Sequence, residues 1–487
     1  MKVLLVLPAA EHLRVTRESP DVPRRAMLRF SVLPLTIVAA LTPPEHEVTL
    51  CDENVEPLDL DADVDLVGVT FMTALAPRAY EIARAFRARG KVVVSGGFHP
   101  TLRPDEAREH FDAVVVGDAE GSWPRLLADL AASRLQPVYR SAPHADLSTT
   151  PVPRRELLSR TARHYATIHA VQATRGCVHA CRYCSVAAFH RSTLRTRPVA
   201  AVAAEVASLP HDFMFVDDNL IADREYARAL FTALVPLGKR WVGQCSIELA
   251  DEPELLALAR AAGCVGLFVG VETTSPENLA ALDKSWNEGD RLRERLATLR
   301  RAGIGVIAGM IVGADADDPG VFGRTLRFLR EARIDGLQLN VLTPLPGTPL
   351  HADFERAGRI LDPDLSRYDF RHAVIRPARM SPEELQSGAD WLYAQFYRLD
   401  RILLRFLRAI PVLGLSGAFL GLKLGLTYRY DNRREGIRGR DPARRGATTG
   451  SSVFRPLLPA PTGVVRSGLS ASGRRARRAP AGRRPPA

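Results

Sequence analysis

The sequence predicts an α/β protein: a doubly wound parallel sheet, then a partial (β/α)6 barrel, a helical C-terminal region and a disordered basic tail. Three observations carry this. Short Val-rich runs alternate with helix-like stretches over residues 1–140, the same alternation returns from about residue 174 to 349, and apolar periodicity is almost absent from 431 onward. Alternation of this kind builds parallel sheets covered by helices.

In the first region, residues 2–7, 47–51, 66–71, 91–95 and 113–116 read as strands, and 77–89 has apolar residues at helical spacing. Ligands of such sheets bind beyond the carboxyl ends of the strands. Two glycine-bearing segments fall there: Ser-Gly-Gly-Phe-His-Pro-Thr, with Gly96, Gly97 and His99, and Val-Gly-Asp-Ala-Glu, with Gly117. Glycine lets a backbone approach a flat or bulky ligand.

In the second region, strands are expected near 171–173, 213–216, 241–245, 266–271, 305–311 and 336–342, with helices over 197–209, 224–237, 252–262 and 291–302. A barrel places its active site at the carboxyl ends of its strands. The expected division is 1–140 for the first domain, 141–165 for a linker, 166–350 for the barrel, 351–428 for the helical region and 429–487 for the tail.

The loop after the first barrel strand holds Cys177, Cys181 and Cys184 as Cys-x3-Cys-x2-Cys, with Tyr183 just before the third. A four-iron cluster normally takes four thiolates. Three within eight residues leave one iron open to a substrate or cosubstrate. A structural zinc site wants four ligands, commonly as two separated pairs; His179 or His190 is available as a fourth, at no familiar zinc spacing. Cys51, Cys245 and Cys264 are scattered singly in apolar surroundings and read as small core residues.

The triplet resembles the signature of the radical S-adenosylmethionine (SAM) enzymes. The resemblance implies a 4Fe–4S cluster whose open iron chelates SAM, and electron transfer that cleaves SAM to a 5′-deoxyadenosyl radical. It extends along the barrel in order. Asp217, Asp218 and Asn219 after the second strand match the place of contacts to the SAM ammonium. Gly-Val-Glu-Thr with Glu272, after the fourth, resembles the SAM motif. Gly309-Met-Ile-Val-Gly313 resembles the strand near the adenosyl group, and Leu-Pro-Gly-Thr-Pro at 345–349 the loop by the adenine. Asp218-Asn219 also reads as a turn or helix cap.

Residues 1–140 look like the Rossmann-like cobalamin-binding domain of one large subgroup. The resemblance rests on the Gly-Gly-x-His-Pro-Thr and Val-x-Gly-Asp-x-Glu stretches. It implies cobalamin as a third cofactor, with Gly96, Gly97, His99 and Gly117 beside it. The Asp-x-His-x-x-Gly motif that supplies a cobalt ligand in many cobalamin proteins is absent, as it is in many members of this subgroup. Together the two resemblances imply a methyltransferase acting on an unactivated carbon of a small molecule or lipid, with a low-potential electron donor of flavodoxin or ferredoxin type. A radical oxidoreductase or cyclase without methyl transfer, and a non-catalytic iron–sulfur scaffold, stay open as alternatives. A tRNA methylthiotransferase would carry further cluster cysteines in the first domain, where only Cys51 stands.

The net charge of +11 resides in the tail: residues 431–487 hold 14 Arg and three acids, 14 − 3 = +11, so the rest sums to zero. The body therefore offers no nucleic-acid footprint, while a basic tail suits nucleic acid, anionic lipid or a purely solvated extension. Unpaired cysteines and the lack of a signal peptide point to a reducing compartment, the cytoplasm. The apolar run 409–422 is shorter than the about 20 residues of a membrane span. With Arg401, Arg405, Arg408 and Lys423 around it, it suits either a helix in a membrane interface or one docked on the enzyme body. Residues 381–404, with Trp391, Tyr393, Phe396 and Tyr397, are expected as a helix over the barrel mouth.

Overall fold

A computed structural model describes residues 1–10, 32–141, 147–287 and 291–434, with side chains to Tyr430. The first sheet contains β1 (Lys2–Leu7), β2 (Glu47–Asp52), β3 (Leu66–Thr70), β4 (Val92–Gly96), β5 (Ala113–Val116) and β6 (Val138–Arg140). All pair in parallel, in the order β2-β1-β3-β4-β5-β6. The order reverses between β1 and β3, the switch point at which open sheets bind ligands. Helices Leu33–Leu41 and Trp123–Ala131 cover one face, Ala76–Arg87 the other, with Phe86, Ile82 and Trp123 buried. β6 and the helix at 33–41 have no counterpart in the sequence reading: β6 is three residues long, and the helix has apolar residues nearly all round.

The second sheet is built from β7 (Ala170–Val171), β10 (Asp212–Phe215), β11 (Arg240–Gln244), β12 (Cys264–Glu272), β13 (Gly305–Val312) and β14 (Gly336–Val341). Its order, β14-β13-β12-β11-β10-β7, is sequential and parallel throughout, the open half-barrel expected. Helices Val199–Ser208, Arg224–Leu234, Pro253–Ala261 and Leu292–Arg301 return the chain between strands. Between β7 and β10 a short antiparallel ribbon, β8 (Thr174–Gly176) with β9 (Leu194–Thr196), closes the base of the cysteine loop. Three-residue strands give no periodicity to read.

The 141–165 segment is more than a tether. Where it is described, Leu147, Leu158 and Tyr165 are buried, the Tyr165 hydroxyl donates to Asp52 at 3.0 Å, and Arg155 reaches the buried Glu205, which Arg197 also holds at 2.7 Å.

Two expectations for the C-terminal region are corrected. The helix Pro382–Phe396 does not cap the barrel mouth. It runs beside β14 on the outside, with Leu385 against Gly313, the first residue beyond β13, and the Tyr397 hydroxyl bonded at both N–H and C=O of Leu337 near the start of β14. Its apolar residues are taken by the outer barrel wall and by Phe322. The chain also stays helical to Arg434, past residue 429 where a tail was expected; residues 435–487, the rest of that tail, lie outside the described residues. The long segment Leu399–Arg434 folds back at Gly414, whose φ of 68° breaks the helix.

Candidate functional site

The cysteine loop leaves β8 at Gly176, whose φ is 88°; a Cβ there would run into the Thr193 carbonyl oxygen. Only glycine makes this turn without strain. Cys181 is buried and Cys177 and Cys184 are partly covered; all three are free thiols. Burial pushes each thiol up, Cys184 to about 12. A bound cation inverts that preference and draws out the thiolate. Among the described residues no three Cys, His, Asp or Glu side chains converge as a single ion needs. A cluster asks for something else, one thiolate to each of several irons, and three cysteines on one tight loop fit it.

Of the two histidines considered for a zinc site, His190 Nδ1 meets Arg195 at 2.9 Å, and His179 stacks on Trp286 with ring centres 4.1 Å apart.

Asp217, Asp218 and Asn219 follow β10 as expected, but they hold protein backbone. Asp217 is buried and accepts from the Ala173 and Thr174 amides and, at 2.8 Å, from the Thr174 hydroxyl. Burial pushes its carboxyl up to about 7 despite these donors. Asp218 accepts from the Gly176 amide at 3.1 Å, and Asn219 from the Ser246 amide at 3.0 Å. In this structure their carboxylates and amide brace the strand ends around Cys177.

Glu272 closes β12 with a φ of 66°. Its carboxylate meets Lys284 Nζ at 2.5 Å, and the same ammonium lies 3.4 Å from the Tyr183 hydroxyl and 5.1 Å from the centre of the Trp286 ring. A Cβ on Gly270 would come within 2.5 Å of Glu272 Oε1, so glycine leaves the room this pair occupies. Lys284 stands just before, and Trp286 within, the single 3-10 turn Ser285–Asn287, and no spacing in the sequence singles them out.

The remaining glycines serve packing more than open approach. A Cβ on Gly309 would meet the Phe268 ring at 2.6 Å; one on Gly313 would meet Leu385, and one on Gly347 of the 345–349 loop would meet Leu102. In the first domain, Gly97 turns with φ 101° against Thr70 and Phe71, and Gly117 with φ 87° against Ser141, while Gly96 has only ordinary contacts. His99 departs most from expectation. It is fully buried, with Nδ1 3.2 Å from Thr73 Oγ1 and Nε2 3.1 Å from the Tyr80 hydroxyl and 3.4 Å from Glu106. His99 and Tyr80 hold the Glu106 carboxyl down, to about 2. Both ring nitrogens are spent inside the domain, so this histidine offers none to a ligand.

The carboxyl ends of the two sheets face each other. Arg175, two residues before Cys177, reaches across to Asp118 at 3.1 Å and Glu120 at 2.6 Å, and Arg195 from β9 also pairs with Asp118. These side chains are about nine-tenths buried. Phe98 packs on Phe189 with ring centres 4.7 Å apart, and Gly347 touches Leu102. The carboxyl end of the β1/β3 switch point, with the half-exposed Met72 just after β3, thus belongs to the same end of the molecule as the cysteine loop. A doubly wound sheet with glycine turns at this end and with His99 turned inward fits a corrinoid held without that histidine as a ligand.

Comparison with known proteins agrees with this architecture. The model of the radical SAM superfamily matches residues 171–329, and that of the B12 binding domain residues 28–127. The bacteriochlorophyllide d C-12(1)-methyltransferase of Chlorobaculum tepidum is 29% identical over 385 residues, 77% of this chain and 84% of that protein. The hopanoid C-2 methylase of Rhodopseudomonas palustris is 29% identical over 347 residues, covering 68% of this chain and 65% of the relative. Among solved structures, the radical S-adenosylmethionine methyltransferase TsrM from Kitasatospora setae, with cobalamin and a 4Fe–4S cluster bound, aligns over 90% of this chain and 100% of its own. Its TM-score is 0.63 at 17% identity, a likeness of fold.

Proposed function

For a chain that belongs to the radical SAM superfamily, in the subgroup with a B12-binding domain ahead of the core, we propose the activity of a cobalamin-dependent methyltransferase acting on an unactivated carbon. The observation that carries the reading is the clasp from Arg175 to Asp118 and Glu120, which fixes the end of the B12-binding sheet against the cysteine loop. When bound, the cluster and SAM supply a hydrogen-abstracting radical and the cobalamin supplies a transferable methyl group; the protein sets their order and excludes water.

In this proposal Cys177, Cys181 and Cys184 would each hold one iron, leaving the last for SAM. Gly176, Asp217, Asp218 and Asn219 fix the backbone that aims the thiolates. Glu272 and Lys284, opposite charges beside Tyr183, provide a carboxylate and an ammonium for the complementary groups of the SAM amino acid end. Residues 1–140 carry the corrinoid and 166–350 the radical chemistry. His99 holds the Phe98–Leu102 turn in place from beneath and is not a ligand.

The Chlorobaculum and Rhodopseudomonas relatives methylate, by their names, a bacteriochlorophyllide and a hopanoid, so the substrate class that fits is a small apolar ring system or lipid. A low-potential flavodoxin or ferredoxin would supply electrons in the cytoplasm, and the C-terminal helices would supply a contact to membrane.

The test is anaerobic turnover with SAM labelled in its methyl group, offered with candidate apolar substrates. Label in the product together with 5′-deoxyadenosine supports the proposal. 5′-Deoxyadenosine with an unlabelled, dehydrogenated or cyclised product supports the oxidoreductase or cyclase instead. No SAM cleavage by the reduced protein refutes both.

A further inference from the structure

Among the described residues, fourteen large apolar side chains are more than a third exposed, and nine of them lie between Leu399 and Tyr430. The segment is long and apolar enough to cross a membrane by composition, but its backbone does not run straight. Gly414 turns it, and the two arms pack against each other: Ile402 lies against Gly425, and the Phe406 and Phe419 rings are 5.1 Å apart. One face of this hairpin is seated on the body. Leu413 packs at Gly305 and Leu424 at Gly336, the first residues of β13 and β14, and Arg240 at the start of β11 donates to the Ser416 hydroxyl at 3.1 Å. The hairpin therefore lies across the amino end of the half-barrel, opposite the cysteine loop.

The other face is bare. Leu403 and Leu407 are one helical turn apart on the first arm, and Leu415 and Phe419 on the second; together with Leu420 and Leu426 they are 40% to 62% exposed. Residues 401–430 contain no acid and five cations. Arg405 turns inward over the Phe396 ring, at 4.1 Å, and Arg401, 42% exposed, pairs with Asp400 at 3.4 Å, whereas Arg408 and Lys423 are exposed beside the apolar face. The adjoining sequence, 431–487, adds 14 Arg against three acids.

We propose that the outer face of this hairpin docks the protein on an anionic lipid bilayer, lying in the plane of the interface. Apolar stripes flanked by cations are what such a surface requires. Pairing with a second copy would set the same cations against one another, and acidic headgroups would not. Docked this way, the cysteine loop and its facing sheet end point away from the lipid, so the hairpin anchors the enzyme and does not gate its site. The inference rests on the hairpin alone and stands whether or not the reaction is methyl transfer.

The experiment is co-sedimentation of the full chain with vesicles of phosphatidylcholine alone or mixed with phosphatidylglycerol. The expected result is binding to the mixed vesicles, lowered at least about a hundredfold by Leu415→Glu with Phe419→Glu, which removes two of the exposed apolar anchors. Arg401→Gln, Arg408→Gln and Lys423→Gln together should weaken binding to mixed vesicles and reduce its salt sensitivity, with little change in thermal stability. Both variants should cleave SAM at the wild-type rate, which shows that the fold and the cluster loop survive. A wild-type chain that binds neither vesicle overturns the proposal. So does one that sediments as a dimer in buffer and becomes a monomer on Leu415→Glu and Phe419→Glu.

Discussion

Replacing Arg175 with Met removes the guanidinium from the contact between the two sheet ends and tests whether that contact is held by charge. Arg175 donates to Asp118 at 3.1 Å, Glu120 at 2.6 Å and Gln172 at 2.9 Å, and its two carboxylate partners are only 10% and 5% exposed. Breaking a buried ion pair from one side costs about 3–5 kcal/mol, because the partner is left charged and unsatisfied. Here Asp118 keeps Arg195 and Glu120 keeps the Thr150 hydroxyl, which puts the loss at the lower end, about 3 kcal/mol. That is roughly a hundredfold in the equilibrium between docked and undocked domains. Amide hydrogen exchange read over Phe98–Leu102 and Ser185–His190, which meet at this contact, should show that loss of protection while the interior strands β3 and β13 keep theirs. Arg175→Lys retains the charge without the two-pronged geometry and should fall between. Exchange in the Met variant indistinguishable from wild type would show that shape, not the Arg175 charge, holds the domains together.

The cysteine loop and its neighbours make further outcomes measurable. Cys181→Ala should abolish both the cluster absorbance and 5′-deoxyadenosine formation, and retained cleavage would sink the cluster assignment. Gly176→Ala puts a Cβ into the Thr193 carbonyl at a positive φ, so iron content after reconstitution should fall steeply while far-ultraviolet circular dichroism stays native. Burial, together with the Arg195 and Arg175 guanidiniums, holds His190 down to about 4, below its unfolded value near 6.5, although Asp118 opposes this. The unfolded chain therefore gains a proton before the folded one does, and stability should drop as pH falls from about 6.5 towards 4. His190→Gln should flatten that part of the curve, as read by urea midpoints. Gly270→Ala crowds the Glu272–Lys284 pair and should raise the SAM concentration needed for half-maximal cleavage, with cluster content unchanged.

The fold was legible wherever a strand or helix was long enough to show its period. The strands at 2–7, 113–116 and 305–312, and the helix beginning at 224, lie where Val-rich and amphipathic runs place them. The ribbon of β8 with β9 and the helix at 33–41 were not legible, the first too short for a pattern and the second apolar nearly all round. At the site, the cysteine spacing and the Gly-Val-Glu-Thr run with Glu272 were visible because local chemistry demands those residue types. Lys284, Trp286 and the clasp of Arg175 with Asp118 and Glu120 were not, because each pairs residues far apart in the chain. Asp217 and His99 sit at the strand ends the sequence indicated, and what it did not show is that both are buried with hydrogen bonds to the protein itself. The helix at 382–396 carries the aromatics expected over the barrel mouth, and the contacts of Leu385 with Gly313 and of Tyr397 with Leu337 reveal that it lies along the wall.

The measurement that bears most directly on the central claim is the corrinoid and iron content of the protein. It would be reconstituted anaerobically with iron, sulfide and hydroxocobalamin, then passed over gel filtration. The account predicts about one corrinoid per chain beside about four irons, with the corrinoid retained in His99→Phe, since that histidine faces inward. A cluster with no corrinoid would contradict it, and would reduce the first domain to a packing or substrate-binding role.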